Sequence, residues 1–288
     1  MRNPRITRLA FEQDGLITRG QALAAGVSPD AIRHALTVAH RWQTVVPGIY
    51  ATFDGPLAQI HRLRAAVLFG GPASMITGST ACRLMDLRYV PGPSDEIDVL
   101  VDPRRHVADV GFIRAHRTIR MPRVTWWMDT ASPGAAANHA VARPWWVEGD
   151  SLAPQARRWT IPIAPVARAC IDAARLYHLS LIAAGALAPW PRRAVLRDVR
   201  GLLCEAVQRR HCTGEDLRIE LSKAAWPGTA PARRAVEDIE VGCRLRPNVN
   251  CAILCVRVAC YQNRAGTSRC RDTPVCSPMR AGQKLISS

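Results

Sequence analysis

The tightest constraint on the fold lies in residues 9–52, where short helix signals separated by single glycines run into two short strand signals around a Pro-Gly pair. Leu9 to Gln13 ends a first helix and Gly15 breaks it. Thr18 can accept from the backbone three residues on while Gln21 reaches back, a capping box that opens a helix running to Ala25. Gly26 then fits the position after the helix end, where positive φ is cheap without a Cβ. Ser28 caps the next helix and Pro29 occupies its first turn. Ile32 and Leu36, with Val38 as a further candidate, supply its inward face, so Arg33, His34 and Thr37 fall off that face. The following WQTVVPGIYAT reads as two strands turning at Pro47-Gly48.

Two short helices, a tight glycine turn and a hairpin are the parts of a winged helix-turn-helix. Such a domain lays its second helix in the major groove and its wing on the backbone. On that reading Arg33 and His34 face base edges or phosphates, and His40 and Arg41 sit near phosphate at the start of the wing. Arg19 and Thr37 complete the candidate DNA contacts. Winged helices also mediate protein–protein contact, so composition has to weigh in. A formal charge of +16 and a pI near 10.4 favour a polyanion or an anionic membrane surface. Lys223 and Lys284 are the only lysines, so 37 of the 39 basic residues are arginine. GC-rich coding produces the same bias, and charge alone does not separate the two origins.

The run GLITRGQALAAGVS, then IR, then RWQTVVPGIYA, resembles the N-terminal winged helix of the AbiEi-family antitoxins of type IV toxin–antitoxin systems, over residues 5–53. The resemblance implies repression of the protein's own operon through double-stranded promoter DNA. It also implies antagonism of a nucleotidyltransferase-like toxin without a stable complex, no cofactor and no enzymatic role.

Beyond residue 53 the patterning predicts an α+β domain over 56–185. Leu57 to Phe69 is a helix with Ile60, Leu63, Ala66 and Val67 on one face, ended by Gly70-Gly71-Pro72. Thr77 to Leu87 is a second helix, with Ala81, Leu84 and Met85 inward. Residues 96–101 and 111–116 alternate as strands. In TIPIAPVARACIDAAR, Pro165 opens a helix that turns Val166, Cys170 and Ala173 inward. The same stretch raises an enzymatic alternative. Gly78-Ser79 followed by Glu96-x-Asp98 resembles the pattern with which minimal nucleotidyltransferases approach a triphosphate and hold Mg²⁺, with Asp102 as a third acid. Against it, Ser79 and Thr80 open an ordinary amphipathic helix and no basic triphosphate clamp stands out.

Residues 123–159 hold five of the eight tryptophans and read as a Trp-rich insert docked on the domain; Trp with Arg could also stack on single-stranded nucleic acid. Residues 186–243 read as a helical segment, with Thr213 and Asp216 as a capping pair and Leu217 and Leu221 on its apolar stripe. Cys82, Cys170, Cys204, Cys212 and Cys243 are scattered like small buried hydrophobes. From 244 to 288 the periodicity stops and five cysteines crowd together, at spacings unsuited to paired zinc knuckles. Shifting the reading frame, with third bases filled mainly by G or C, turns the stretch from Arg246 onward into one without a cysteine excess. It then resembles the start of a very-short-patch-repair-like endonuclease domain. The tail therefore reads as out-of-frame and disordered, and a remnant of such a nuclease fusion is the alternative function. No run of about 18 apolar residues and no apolar core behind the charged N-terminus are present, so neither a membrane span nor a signal peptide is expected and the cytoplasm is the expected location.

Overall fold

The computed structural model describes residues 3–128, 146–148, 160–185, 191–224 and 227–245. The N-terminal unit runs α1 (Pro4–Glu12), β1 (Leu16–Thr18), α2 (Arg19–Ala24), α3 (Pro29–Thr37), β2 (Gln43–Val46) and β3 (Ile49–Ala51). Its strands form an antiparallel sheet ordered β1-β3-β2. This is the winged helix-turn-helix order, with the wing turning at Pro47-Gly48. The capping box is formed: the Gln21 N–H donates to Thr18 Oγ1 at 3.1 Å, and the Thr18 N–H donates to Gln21 Oε1 at 2.8 Å. Ser28 Oγ caps α3 by accepting from the Ala31 N–H.

The two faces of this small sheet go to different partners, as the two-residue period of a strand dictates. Ile17 and its cross-strand neighbour Tyr50 face α1–α3, closing a core with Ile6, Ala10, Ala22 and Ile32. Leu16, its neighbour Ala51, Ile49 and Val46 face the other way, into the main core of the chain. The winged helix is therefore sandwiched onto the remainder through its own sheet. Beside this junction Arg64 Nε and Asp14 Oδ2 form an ion pair at 2.8 Å, with side-chain exposures of 10% and 6%.

The second region is an α+β unit, as the patterning predicts. α4 (Gln59–Gly70), β4 (Met75–Ile76), α5 (Gly78–Leu84), β5 (Ile97–Val101), β6 (Ile113–Arg117), β7 (Thr125–Met128), β8 (Trp146–Glu148) and β9 (Thr160–Ile163) precede α6 (Val166–Ala183). The strands build one mixed sheet ordered β6-β5-β4-β9-β7-β8. β5–β6 and β4–β9 are parallel, and the other pairings antiparallel. α7 (Pro191–Gln208), α8 (Gly214–Lys223) and α9 (Ala230–Leu245) pack on α6, and Val199, Leu202, Leu217 and Ile239 join the same core as Leu63 and Ile97. Glu205 on α7 fixes this docking: its Oε2 accepts from the backbone N–H groups of Arg88 and Tyr89, and its Oε1 pairs with Arg209. The Thr213–Asp216 capping pair is formed in both directions.

Val38 departs from expectation. It stands just past the last turn of α3 and is 66% exposed, so the inward face of that helix ends at Leu36. Cys82, Cys170 and Cys204 are buried as expected, and Cys212 is half-buried. The Cys243 side chain, most of the Trp-rich insert and the tail from 246 onward lie outside the described residues.

Candidate nucleic-acid interface

Helical geometry sorts α3 into two opposite faces. Each residue advances about 100° around the axis. Ile32, Ala35 and Leu36 fall together on the side turned toward α1, α2 and the sheet, where Ile32 is fully buried. Asp30, Arg33, His34 and Thr37, spaced i, i+3, i+4 and i+7, fall on the opposite side, and all four are exposed. That exposure holds with the second region in place, so the rest of the described chain leaves this face open.

The sequence-selected residues sit on or beside that face. Arg33 is 74% exposed and pairs with Asp30 at 2.8 Å within the first turns of the helix. Thr37 donates its hydroxyl to the Arg33 carbonyl at 2.9 Å. Past the helix, the backbone N–H groups of Arg41 and Trp42 both donate to the Ala35 carbonyl, folding the chain sharply toward β2. His40 lies inside this fold with φ +43°, a left-handed conformation uncommon for a non-glycine residue. At the other end of the hairpin, the Arg19 N–H donates to the Gly48 carbonyl at 2.8 Å, which ties the start of α2 to the wing turn. The side chains of Arg19, His34, His40 and Arg41 are exposed and have no ion-pair partner among the described residues. Asp30, absent from the candidates read from the sequence, is the one carboxylate on the open face of α3, and its place in the i, i+3, i+4 series is the signal that could have found it.

The glycine–serine and paired-acid pattern takes a different form. Gly78 does lie against Asp98: a Cβ there would come within 2.7 Å of Asp98 Oδ2. Ser79, however, is buried and donates its hydroxyl to the Pro91 carbonyl at 2.7 Å. The two acids face the neighbouring strand β6, where Glu96 pairs with Arg114 at 2.5 Å and Asp98 bonds His116 Nε2 at 2.7 Å. Asp102 Oδ1 accepts from the Arg104 backbone N–H. Each candidate acid thus already has a partner, Glu96 and Asp98 across to β6 and Asp102 within its own loop.

Elsewhere in the second region two further buried or half-buried acids are paired internally. Asp172 accepts from Thr77 and from Arg168, each at 2.7 Å. Glu220 receives Arg120 at 2.7 Å and Arg168 at 3.4 Å, which joins α6, α8 and the approach to β7. Among the described residues, no helix is long and apolar enough to cross a membrane.

No family model matches the chain. No curated protein matches it either. Among solved structures, it is similar to the RV2827C protein from Mycobacterium tuberculosis, at 17% identity and a TM-score of 0.41, with 81% of this chain and 75% of that chain covered.

Proposed function

We propose that this chain is a DNA-binding regulator of the AbiEi antitoxin kind, acting on double-stranded DNA upstream of its own gene. The observation that carries the reading is the open face of α3, which sets Arg33, His34 and Thr37 opposite the buried Ile32 and the partly buried Leu36. A helix buried on one side and displaying a cation, an imidazole and a hydroxyl on the other has the groups that bond base edges in a major groove. Arg41, His40 and Arg19, near the two ends of the hairpin, supply charge for flanking phosphates. The left-handed His40 supports the same reading, because a strained residue held by two adjacent backbone bonds fixes how the wing leaves the helix. Regulation of a nucleotidyltransferase-like toxin rests on the resemblance of residues 5–53 alone. The nuclease-remnant alternative rests on residues outside those described. The nucleotidyltransferase alternative has to share Glu96 and Asp98 with Arg114 and His116, each of which already engages one carboxylate oxygen.

The test is binding of the full chain to a duplex from upstream of its own gene, comparing Arg33→Ala with Arg41→Ala. Arg33→Ala is expected to reduce preference for that duplex over a scrambled one, by about 1–3 kcal/mol. Arg41→Ala is expected to weaken binding to both equally and to lower the salt slope by about one. Wild-type binding indifferent to both substitutions would contradict the proposal.

A further inference from the structure

The loop between β5 and β6 carries Arg104, Arg105 and His106 in succession, all exposed. None of the three has an ion-pair partner among the described residues, whereas Arg114 on the adjoining strand is paired with Glu96. The acids that bracket the loop are occupied by backbone. Asp102 Oδ1 accepts from the Arg104 N–H at 2.8 Å, and Asp109 Oδ1 accepts from the Ala115 N–H at 2.9 Å. A tight turn, closed by the Arg105 N–H donating to the Asp102 carbonyl, therefore presents two guanidiniums that form no ion pair with the carboxylates flanking it.

The loop lies beside the wing. A Cβ on Gly111 would be 3.9 Å from Val46 of β2. A cleft of about 960 Å³ has Pro47, Gly48 and Ile49 of the wing on one side and Gly71, Arg105 and Val107 on the other. The Arg105 guanidinium lies over Gly71, where φ is +84° and a Cβ would come within 2.5 Å of it. The wing cannot drift from this loop freely, because its sheet is packed into the main core and Asp14 is paired with Arg64 beside the junction.

We infer that Arg104 and Arg105 form a second phosphate-binding element, contributed by the α+β region, which extends the winged helix's contact along the DNA backbone past the wing. The inference rests on the DNA-binding reading above. It assigns the loop to double-stranded DNA because two adjacent unpaired guanidiniums at a fixed offset from a wing match a backbone of regularly spaced phosphates. Contacts of this kind hold register and add affinity without reading sequence.

The experiment is a salt titration of the full chain on the upstream duplex and on a scrambled duplex of equal length. It compares wild type, Arg104→Gln/Arg105→Gln, Arg104→Lys/Arg105→Lys and Arg41→Ala. The glutamine pair is expected to lower the slope of log K against log salt by about two on both duplexes, leaving their affinity ratio unchanged. The lysine pair, which keeps the charge, is expected to restore the wild-type slope. Thermal unfolding of the glutamine pair at the wild-type midpoint accompanies the supported outcome. A wild-type slope in the glutamine pair, with Arg41→Ala still weakened, overturns the second element and leaves the winged helix standing. A wild-type chain that binds neither duplex overturns both.

Discussion

The open side of α3 and the interior of the α+β region differ in how densely their charges are paired. On the mixed sheet and its helices, arginines meet carboxylates: Arg114 with Glu96, Arg120 and Arg168 with Glu220, Arg209 with Glu205. At the α3–β2 fold, on α3 and at the start of α2, His40, Arg41, His34 and Arg19 stand exposed without an ion-pair partner among the described residues, and Asp30, paired with Arg33, is the one acid on the open face of α3. A net charge of +16 already discounts every ion pair, so what bears on partners is where the surplus cations stand. What marks a surface as a candidate for phosphate is a cation free of an ion-pair partner, and the wing side of the molecule and the β5–β6 loop carry such cations next to one another.

The largest way to break the comparison is at the junction of the two regions. Asp14→Asn leaves the Arg64 guanidinium buried without its carboxylate, and breaking a buried pair from one side typically costs about 3–5 kcal/mol. Asn tolerates the left-handed backbone found at this position, so the loss reports the charge. Thermal or denaturant unfolding should show it; a shift below about 1 kcal/mol would mean that the rest of the Arg64 environment satisfies the guanidinium without Asp14. Next in size is the loss of discrimination expected for Arg33→Ala, read as the ratio of affinities for upstream and scrambled DNA. Thr18→Ala removes the capping acceptor of α2 and should cost about 1 kcal/mol of stability. Asp30→Asn separates two readouts. It should strengthen DNA binding by freeing Arg33 and removing an anion from the open face, while costing about 0.3–1 kcal/mol of stability through the lost charge at the α3 N-terminus. Binding that weakens instead would make Asp30 a base-contacting acceptor.

The smallest effect is a pH dependence. Burial lowers the pKa of His61, where nearby Asp14 partly opposes it, and of His211, where Arg209 adds to it. A histidine depressed in the folded state binds fewer protons there than in the unfolded chain. Its contribution is intact above the ordinary histidine value of about 6.5 and is lost as pH falls through and below it. His61 Nδ1 also accepts from the Ala58 N–H at 3.0 Å, a bond its protonated ring cannot accept. Unfolding midpoints should fall on acidification from about pH 7.5 to about pH 5.5, less so in His61→Gln.

The winged helix was legible because its signals are local. Thr18, Gln21, Ser28 and Pro29 act within one turn of their own position, and Ile32 and Leu36 repeat at helical spacing. The six-stranded sheet was only partly legible. β5 and β6 alternate plainly, whereas β4 has two residues and β9 contains Pro162, so neither announces itself as a strand. They are made strands by partners far away in sequence, β4 lying between β5 and β9. Val38 misled because an apolar residue one step past a helix end still fits the helical period while facing solvent. The pairing of Glu96 and Asp98 with β6 depends on a parallel register that no local spacing encodes. The set of unpaired cations is invisible for the same reason, since it is defined by where acids are not.

The most direct test of the central account is a salt titration of the wild-type chain on its own upstream DNA against scrambled DNA. The account predicts tighter binding to the upstream duplex, weakening steeply as salt rises on both. Equal, weak binding to the two duplexes would contradict it, leaving only the generic attraction of a basic protein for a polyanion.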